Sequence, residues 1–161
     1  MRIARLVPVG LLGLACMGVT ASQAAATTHI APASRHAAAA AATIQVRSTA
    51  YGKILVNSKG FTLYLFAKDK KNKSTCSGQC LAVWPLVLVK GKPTAGPGLK
   101  ASLLGTIKEP GGKNEVTYNG WPLYTFVPDI KPGDVTGEGN TSFGAPWWVV
   151  SPAGTAIKKM P

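Results

Sequence analysis

The clearest apolar pattern in the chain occurs twice. Residues Gly60 to Asp69 read Gly-Phe-Thr-Leu-Tyr-Leu-Phe-Ala-Lys-Asp, and Gly120 to Asp129 read Gly-Trp-Pro-Leu-Tyr-Thr-Phe-Val-Pro-Asp. In an extended chain, side chains point alternately to opposite faces. Phe61, Leu63, Leu65 and Ala67 then share one face, while Tyr64 and Phe66 share the other. The second copy sets Trp121, Leu123 and Val127 against Tyr124 and Phe126. Both faces are apolar, so each strand must be covered on both sides. These two strands are therefore expected at the centre of the fold. Tyr64 and Tyr124 stand 60 positions apart, and such a period marks one supersecondary unit used twice, with the two apolar faces buried against each other.

Shorter β-prone runs surround them. Ile44 to Arg47 and Lys53 to Val56 precede the first copy, and Asn57 to Gly60 is a turn leading into it. Leu86 to Val89 and Leu103 to Ile107 read as strands, and Trp147 to Val150 as the closing strand. The sharpest local signal is Asn119-Gly120 between Glu115 to Tyr118 and Trp121 onward, because Asn-Gly supplies the positive φ angles of a two-residue type I′ turn. Pro122 falls near the start of its strand, where a missing ladder donor is tolerated. The predicted fold is all-β and mostly antiparallel, two diverged β-hairpin repeats (about 51–89 and 107–154) forming one domain over 44–161. A short turn or helical segment is expected at Cys76 to Cys80. Gly 18, Pro 12 and only 15% charged residues fit many turns and little exposed helix.

Upstream the pattern changes. Arg2 and Arg5 precede an apolar run from Leu6 to Val19 and small residues through Ala26, the three regions of a secretory signal, too short for a comfortable membrane anchor. Cys16 lies in this run, but Gly13 and Leu14 occupy the places where a lipoprotein signal has Leu and a small residue. Ordinary cleavage after Ala24 or Ala26 is favoured over lipidation of Cys16. Residues 27–43 are Ala-rich without an apolar stripe to dock a helix, and read as a flexible linker carrying the only two histidines, His29 and His36, as solvated side chains.

Both copies fit Tyr-x-aromatic-x-x-Asp, as Tyr64-Leu65-Phe66-Ala67-Lys68-Asp69 and Tyr124-Thr125-Phe126-Val127-Pro128-Asp129. With Cys76-Ser77-Gly78-Gln79-Cys80 followed by Trp84-Pro85, the chain resembles the bacterial secreted-repeat family of predicted lipoproteins bearing this motif, over roughly Tyr51 to Gly154. The resemblance implies an exported envelope protein and brings no settled biochemical activity with it.

Candidate chemistry is sparse. Cys76 and Cys80 are the cysteines of the mature domain, and an exported pair is expected to be oxidised. On a regular helix their Cβ atoms would stand about 6 Å apart against the roughly 3.8 Å a disulfide wants, so a bonded pair excludes regular helix at both cysteines. A structural disulfide is the leading reading; a reversible redox pair and a metal site remain alternatives. Asp69 and Asp129 end their strands in matched positions and are expected to accept backbone N–H bonds two or three residues on; the sharper alternative brings them together as an acid/base or cation site. The loop Asp134 to Asn140 could hold calcium but lacks the usual pattern.

Past Thr43 there is no histidine, and the one methionine is Met160. Ser-His-Asp and Cys-His catalysis are thereby removed, as are the usual donors for haem or blue copper. No phosphate-cradling glycine motif opens a helix. No cofactor and no enzymatic activity are expected. The formal net charge of +12 favours anionic surfaces. Lys68, Lys70, Lys71 and Lys73 form the densest basic run, suited either to solubility or to an anionic envelope polymer or lipid head group; nucleic acid is not expected for an exported chain. Trp147 and Trp148 must face opposite sides of one strand, so one could stack on a glycan ring, with core packing the other reading. The favoured function is a non-enzymatic envelope module binding an anionic or glycan partner. The alternative is a thiol–disulfide or electron-transfer accessory protein working through Cys76 and Cys80.

Overall fold

A computed structural model describes residues 43–159. The expected signal (1–26), Cys16, both histidines, Met160 and all but the last residue of the linker lie outside the described residues. The domain is built from short, mostly antiparallel strands. β1 (Ile44–Thr49) and β2 (Gly52–Asn57) form a hairpin. β3 (Tyr64–Phe66) is the core of the first copy, and helix α1 (Gln79–Val83) follows the first cysteine. β4 (Leu88–Val89), β5 (Leu104–Glu109) and β7 (Trp121–Pro122) all pair with β6 (Lys113–Tyr118), while β8 (Trp147–Val149) pairs with β3.

The alternation expected for the repeated strands holds. Tyr64, Phe66, Tyr124 and Phe126 enter one buried cluster together with Ile54, Val56, Trp84 and Trp147. Leu63, Leu65 and Leu123 enter a second with Leu55, Val116, Tyr118 and Trp148. The motif strands and β2 thus separate two cores. Val127, expected on the apolar face, lies past the end of its strand and is exposed.

The two copies are interlocked rather than stacked. The segment after the first motif, Pro85 to Val87, runs along the second: Thr125 N–H donates to Pro85 O at 2.9 Å and Val87 N–H to Leu123 O at 2.9 Å. Trp147 to Val149, after the second motif, runs along the first. At the centre Tyr64 and Tyr124 exchange backbone bonds, Tyr64 N–H to Tyr124 O at 2.9 Å and the reverse at 3.0 Å. The same contacts recur on the two sides of this bridge: Leu55 N–H to Val150 O and Val116 N–H to Val87 O are both 2.8 Å, and Ala67 N–H to Pro146 O and Val127 N–H to Val83 O are both 3.0 Å. An approximate two-fold axis therefore passes between the two tyrosines.

The Asn119-Gly120 turn forms as expected. Asn119 has φ 50 and Gly120 φ 75, and β6 and β7 pair across it with Tyr118 opposite Trp121. Its carbonyls are used by the other copy, since Asn72 N–H donates to Gly120 O at 2.7 Å.

Because Tyr64 to Phe66 and Leu123 to Val127 each take a backbone neighbour from the other copy, neither half can complete a core alone. Residues 43–96 and 97–159, expressed separately, should each lack the near-ultraviolet circular dichroism of fixed tryptophans, and mixing them should restore it. Independent folding of either half would overturn the interlocked description.

Candidate functional site

Trp84 and Trp147 lie face to face at the centre of the first core, ring centroids 3.9 Å apart and 1° from parallel. Phe126 stacks on the outer face of Trp84 at 4.1 Å, and Phe66 on the outer face of Trp147 at 4.1 Å. The result is a continuous column, Phe126–Trp84–Trp147–Phe66, with partners from opposite copies in each outer pair. Tyr64 meets Trp84 edge-on at 5.3 Å, and Tyr124 meets Trp147 edge-on at 5.1 Å. Ser142 receives both indoles: Trp84 Nε1–H donates to its Oγ at 3.2 Å and Trp147 Nε1–H to its carbonyl at 3.1 Å.

The phenols cross between copies. Tyr64 O–H donates to Asp129 Oδ2 at 2.7 Å, and Tyr124 O–H donates to Asp69 Oδ2 at 2.6 Å. The other carboxylate oxygens are equally matched. Asp69 Oδ1 accepts Thr75 N–H at 2.7 Å and Thr75 Oγ1–H at 2.8 Å; Asp129 Oδ1 accepts Thr136 N–H at 2.9 Å and Thr136 Oγ1–H at 2.6 Å. The loop contact is thus made six or seven residues on, where the sequence suggested two or three. Nor do the aspartates form a shared acid/base or cation site: each is buried with the other copy's tyrosine. Burial raises the Asp69 carboxyl above its usual value, against the lowering effect of its Tyr124 and Thr75 bonds. Burial, reinforced by hydrogen bonding to Asp129, lifts the Tyr64 phenol far above its ordinary range; for Tyr124, burial and then the charge of Glu115 do the same.

Cys76 and Cys80 are bonded, with Cα atoms 5.4 Å apart, and both belong to this cluster. Cys76 precedes α1 and Gly78 at its N-cap has φ 55, so Cys76 lies outside the helix as expected, whereas Cys80, expected outside it as well, is its second residue. Closing so short a loop contributes about 2 kcal/mol on the chain-entropy model. Cys76 follows Thr75, and in the second copy Gly137 follows Thr136. A Cβ at Gly137 would stand 2.8 Å from Trp84 and 2.9 Å from Tyr64, so no side chain fits there.

The basic run lies on the surface. Lys70 and Lys73 close a tight turn by mutual backbone bonds, and all four of Lys68, Lys70, Lys71 and Lys73 are exposed. Lys71 reaches the second copy: its Nζ donates to Asn119 O and lies 4.8 Å over the Trp121 ring. Trp121 also lines a cleft of about 280 Å³ with Trp148, Leu65, Ala67, Pro146 and Lys158. A wider groove of about 470 Å³ runs between Arg47 to Tyr51 and Gly133 to Thr136, without an indole. The glycan-stacking role considered for Trp147 is corrected, since its ring is fully buried in the column. Trp148 is 9% exposed, as one wall of the cleft.

Two buried acids were not anticipated. Glu115, in the middle of β6, is fully buried, and neither carboxylate oxygen has a hydrogen-bond partner; burial and then the nearby Glu109 charge push its pKa up to about 9. Glu138 Oε2 accepts Val149 N–H at 2.7 Å while Oε1 is unpartnered, and burial raises it to about 7. Glu138 thus anchors β8, and Asp134 Oδ2 accepts Lys131 N–H at 3.0 Å, so both acids of this loop hold backbone donors. No group of three or more His, Cys, Asp or Glu side chains suited to a metal occurs among the described residues.

A family model described as a secreted repeat of unknown function matches residues 45–88 and 105–151. The chain belongs to that family. The two matched stretches are the two interlocked copies, so the secreted repeat is half of a shared core rather than a free-standing domain. Neither the curated proteins nor the solved structures searched contain a match. No described helix is long and apolar enough to cross a membrane.

Removing one crossed hydroxyl strands a buried carboxylate oxygen. Tyr124→Phe should destabilise the secreted repeat by about 1–3 kcal/mol in urea unfolding. Glu115 predicts the pH dependence. Below its ordinary value of 4.5 the carboxyl is protonated whether folded or not; as pH climbs towards 9 the unfolded chain releases its proton first, so stability falls across that window. Glu115→Gln should flatten the fall and raise stability at pH 8 by about 2 kcal/mol or more, read as a shift of the urea midpoint.

Proposed function

We propose that this secreted repeat is a non-catalytic module that docks on an anionic polymer or glycan of the cell envelope through the Lys68 to Lys73 loop and the cleft beside it. The observation that carries the reading is the placement of Lys71 over Trp121, at the edge of a cleft that also presents Trp148 and Lys158. An indole wall offers a face for a sugar ring, and the ammonium groups attract phosphate, carboxylate or sulfate. The crossed tyrosines and aspartates are sealed in the core and satisfied, which suits a scaffold more than a turnover site. Export by cleavage after Ala24 or Ala26 would deliver the module to the envelope or beyond it, with anchoring at Cys16 the lesser route.

The redox reading keeps one specific support, the contact of Cys76 and Cys80 with the buried tryptophan column. The two readings separate in one experiment on an immobilised acidic polysaccharide and on a poly(glycerol phosphate). Gln at Lys68, Lys70, Lys71 and Lys73 together should abolish retention at low salt, and Trp121→Ala should weaken it. The Cys76→Ser/Cys80→Ser variant should bind unchanged, with stability lowered by about 2 kcal/mol. Retention of the four-Gln variant equal to the parent at low ionic strength would sink the docking proposal.

A further inference from the structure

Tryptophan and tyrosine are the side chains that most readily lose one electron, and this core gathers two of each around one column. The two indoles overlap face to face at 3.9 Å, so a positive charge on either is shared between them. Each indole touches a tyrosine edge-on. A tyrosine cannot give up an electron cheaply unless its proton leaves at the same time, and that requires a base already in hydrogen-bond contact. The chain has four tyrosines. Tyr64 and Tyr124 donate to carboxylates at 2.7 and 2.6 Å, whereas Tyr118 donates to the Pro152 carbonyl, a far weaker base.

We infer that the column is a trap for one-electron oxidising equivalents: a small peroxide-derived radical outside the protein takes an electron from the Trp84–Trp147 pair, and the hole passes to Tyr64 or Tyr124. The step balances within the pair. For Tyr124, one electron fills the indole vacancy and the phenolic proton crosses to Asp69, leaving a neutral phenoxyl radical and a carboxylic acid; the external radical ends as its one-electron-reduced anion. A small thiol or phenol resets the pair by giving one electron to the phenoxyl while its own proton goes to solvent, and Asp69 returns the held proton to Tyr124. The burial that raises the Asp69 carboxyl makes it a better holder of the transferred proton. The Cys76–Cys80 bond fits the same purpose, since a free thiol in this cluster would quench the radical by giving up its hydrogen. The copies supply the parts crosswise, so either direction along the column ends at a tyrosine with its own base.

The test uses the whole protein with photogenerated tris(bipyridine)ruthenium(III) as oxidant and freeze-quench electron paramagnetic resonance as readout, in protein carrying ring-deuterated tyrosine to assign the signal. A tyrosine-centred radical should form, persist in the Tyr51→Phe/Tyr118→Phe variant and be lost in the Tyr64→Phe/Tyr124→Phe variant. The two variants are complementary, so if one fails to fold the other still decides. A radical confined to tryptophan, or a tyrosyl signal that disappears with Tyr51 and Tyr118, would overturn the inference.

Discussion

The crossed Tyr–Asp hydrogen bonds are the constraint on which the remaining architecture depends. A buried phenol without an acceptor and a buried carboxylate without donors each cost more than a typical hydrogen bond returns. Here each copy supplies the donor for the other's acceptor, so both debts are cleared only when the halves assemble. The same aspartates hold Thr75 and Thr136, and those threonines fix the chain that turns back towards Trp84 and Trp147. Phenol, carboxylate, loop and indole are thereby ordered as one unit. The tryptophan column then fills the space between the two units, with Ser142 orienting both indoles.

Against that economy, Glu115 stands out. It sits in the central strand of its sheet with no partner for either oxygen, while Asp69 and Asp129 in the same fold are each met by three donors. Held neutral near pH 7, it behaves as a polar core residue; ionised, it would be an unpaired charge in a dry interior. Glu138 is an intermediate case, one oxygen bonded to β8 and the other alone. The pH response of the domain is therefore concentrated in these two acids, with Asp69 adding in the same direction.

Much of the fold could be read from the chain because it rests on local rules. Period-two alternation placed Leu63 and Leu65 opposite Tyr64 and Phe66, and Asn119-Gly120 announced its own turn. The interlocking was not legible, because it depends on which strand meets which across some 60 residues, and alternation is silent on partners. The column was half visible: Trp84-Pro85 and Pro146-Trp147 follow the two motifs at similar distances, and Thr75 and Thr136 follow the two aspartates by six and seven residues. Glu115 carried no signal, since a Glu flanked by Asn114 and Val116 in a short strand reads as a solvent-facing position. The lysine loop was evident from composition, but its contact with Trp121 required the docking of one copy's loop on the other's turn.

The shared tyrosine bridge also says what one copy would be by itself. A lone repeat would hold a phenol lacking its carboxylate, a carboxylate lacking its phenol, and a motif strand lacking its neighbour. Two identical chains related by a two-fold axis would satisfy every one of these needs, in the exchanged geometry of a swapped homodimer. Joining the copies through Lys90 to Gly98 turns that association into an intramolecular event, so assembly no longer falls away on dilution. For a secreted repeat, that is the difference between a fold that survives at any concentration and one that dissociates on dilution. Fusion also frees the copies to differ, and they have done so: one carries the disulfide and the lysine loop, while the other carries Gly137 and the indole on which Lys71 rests.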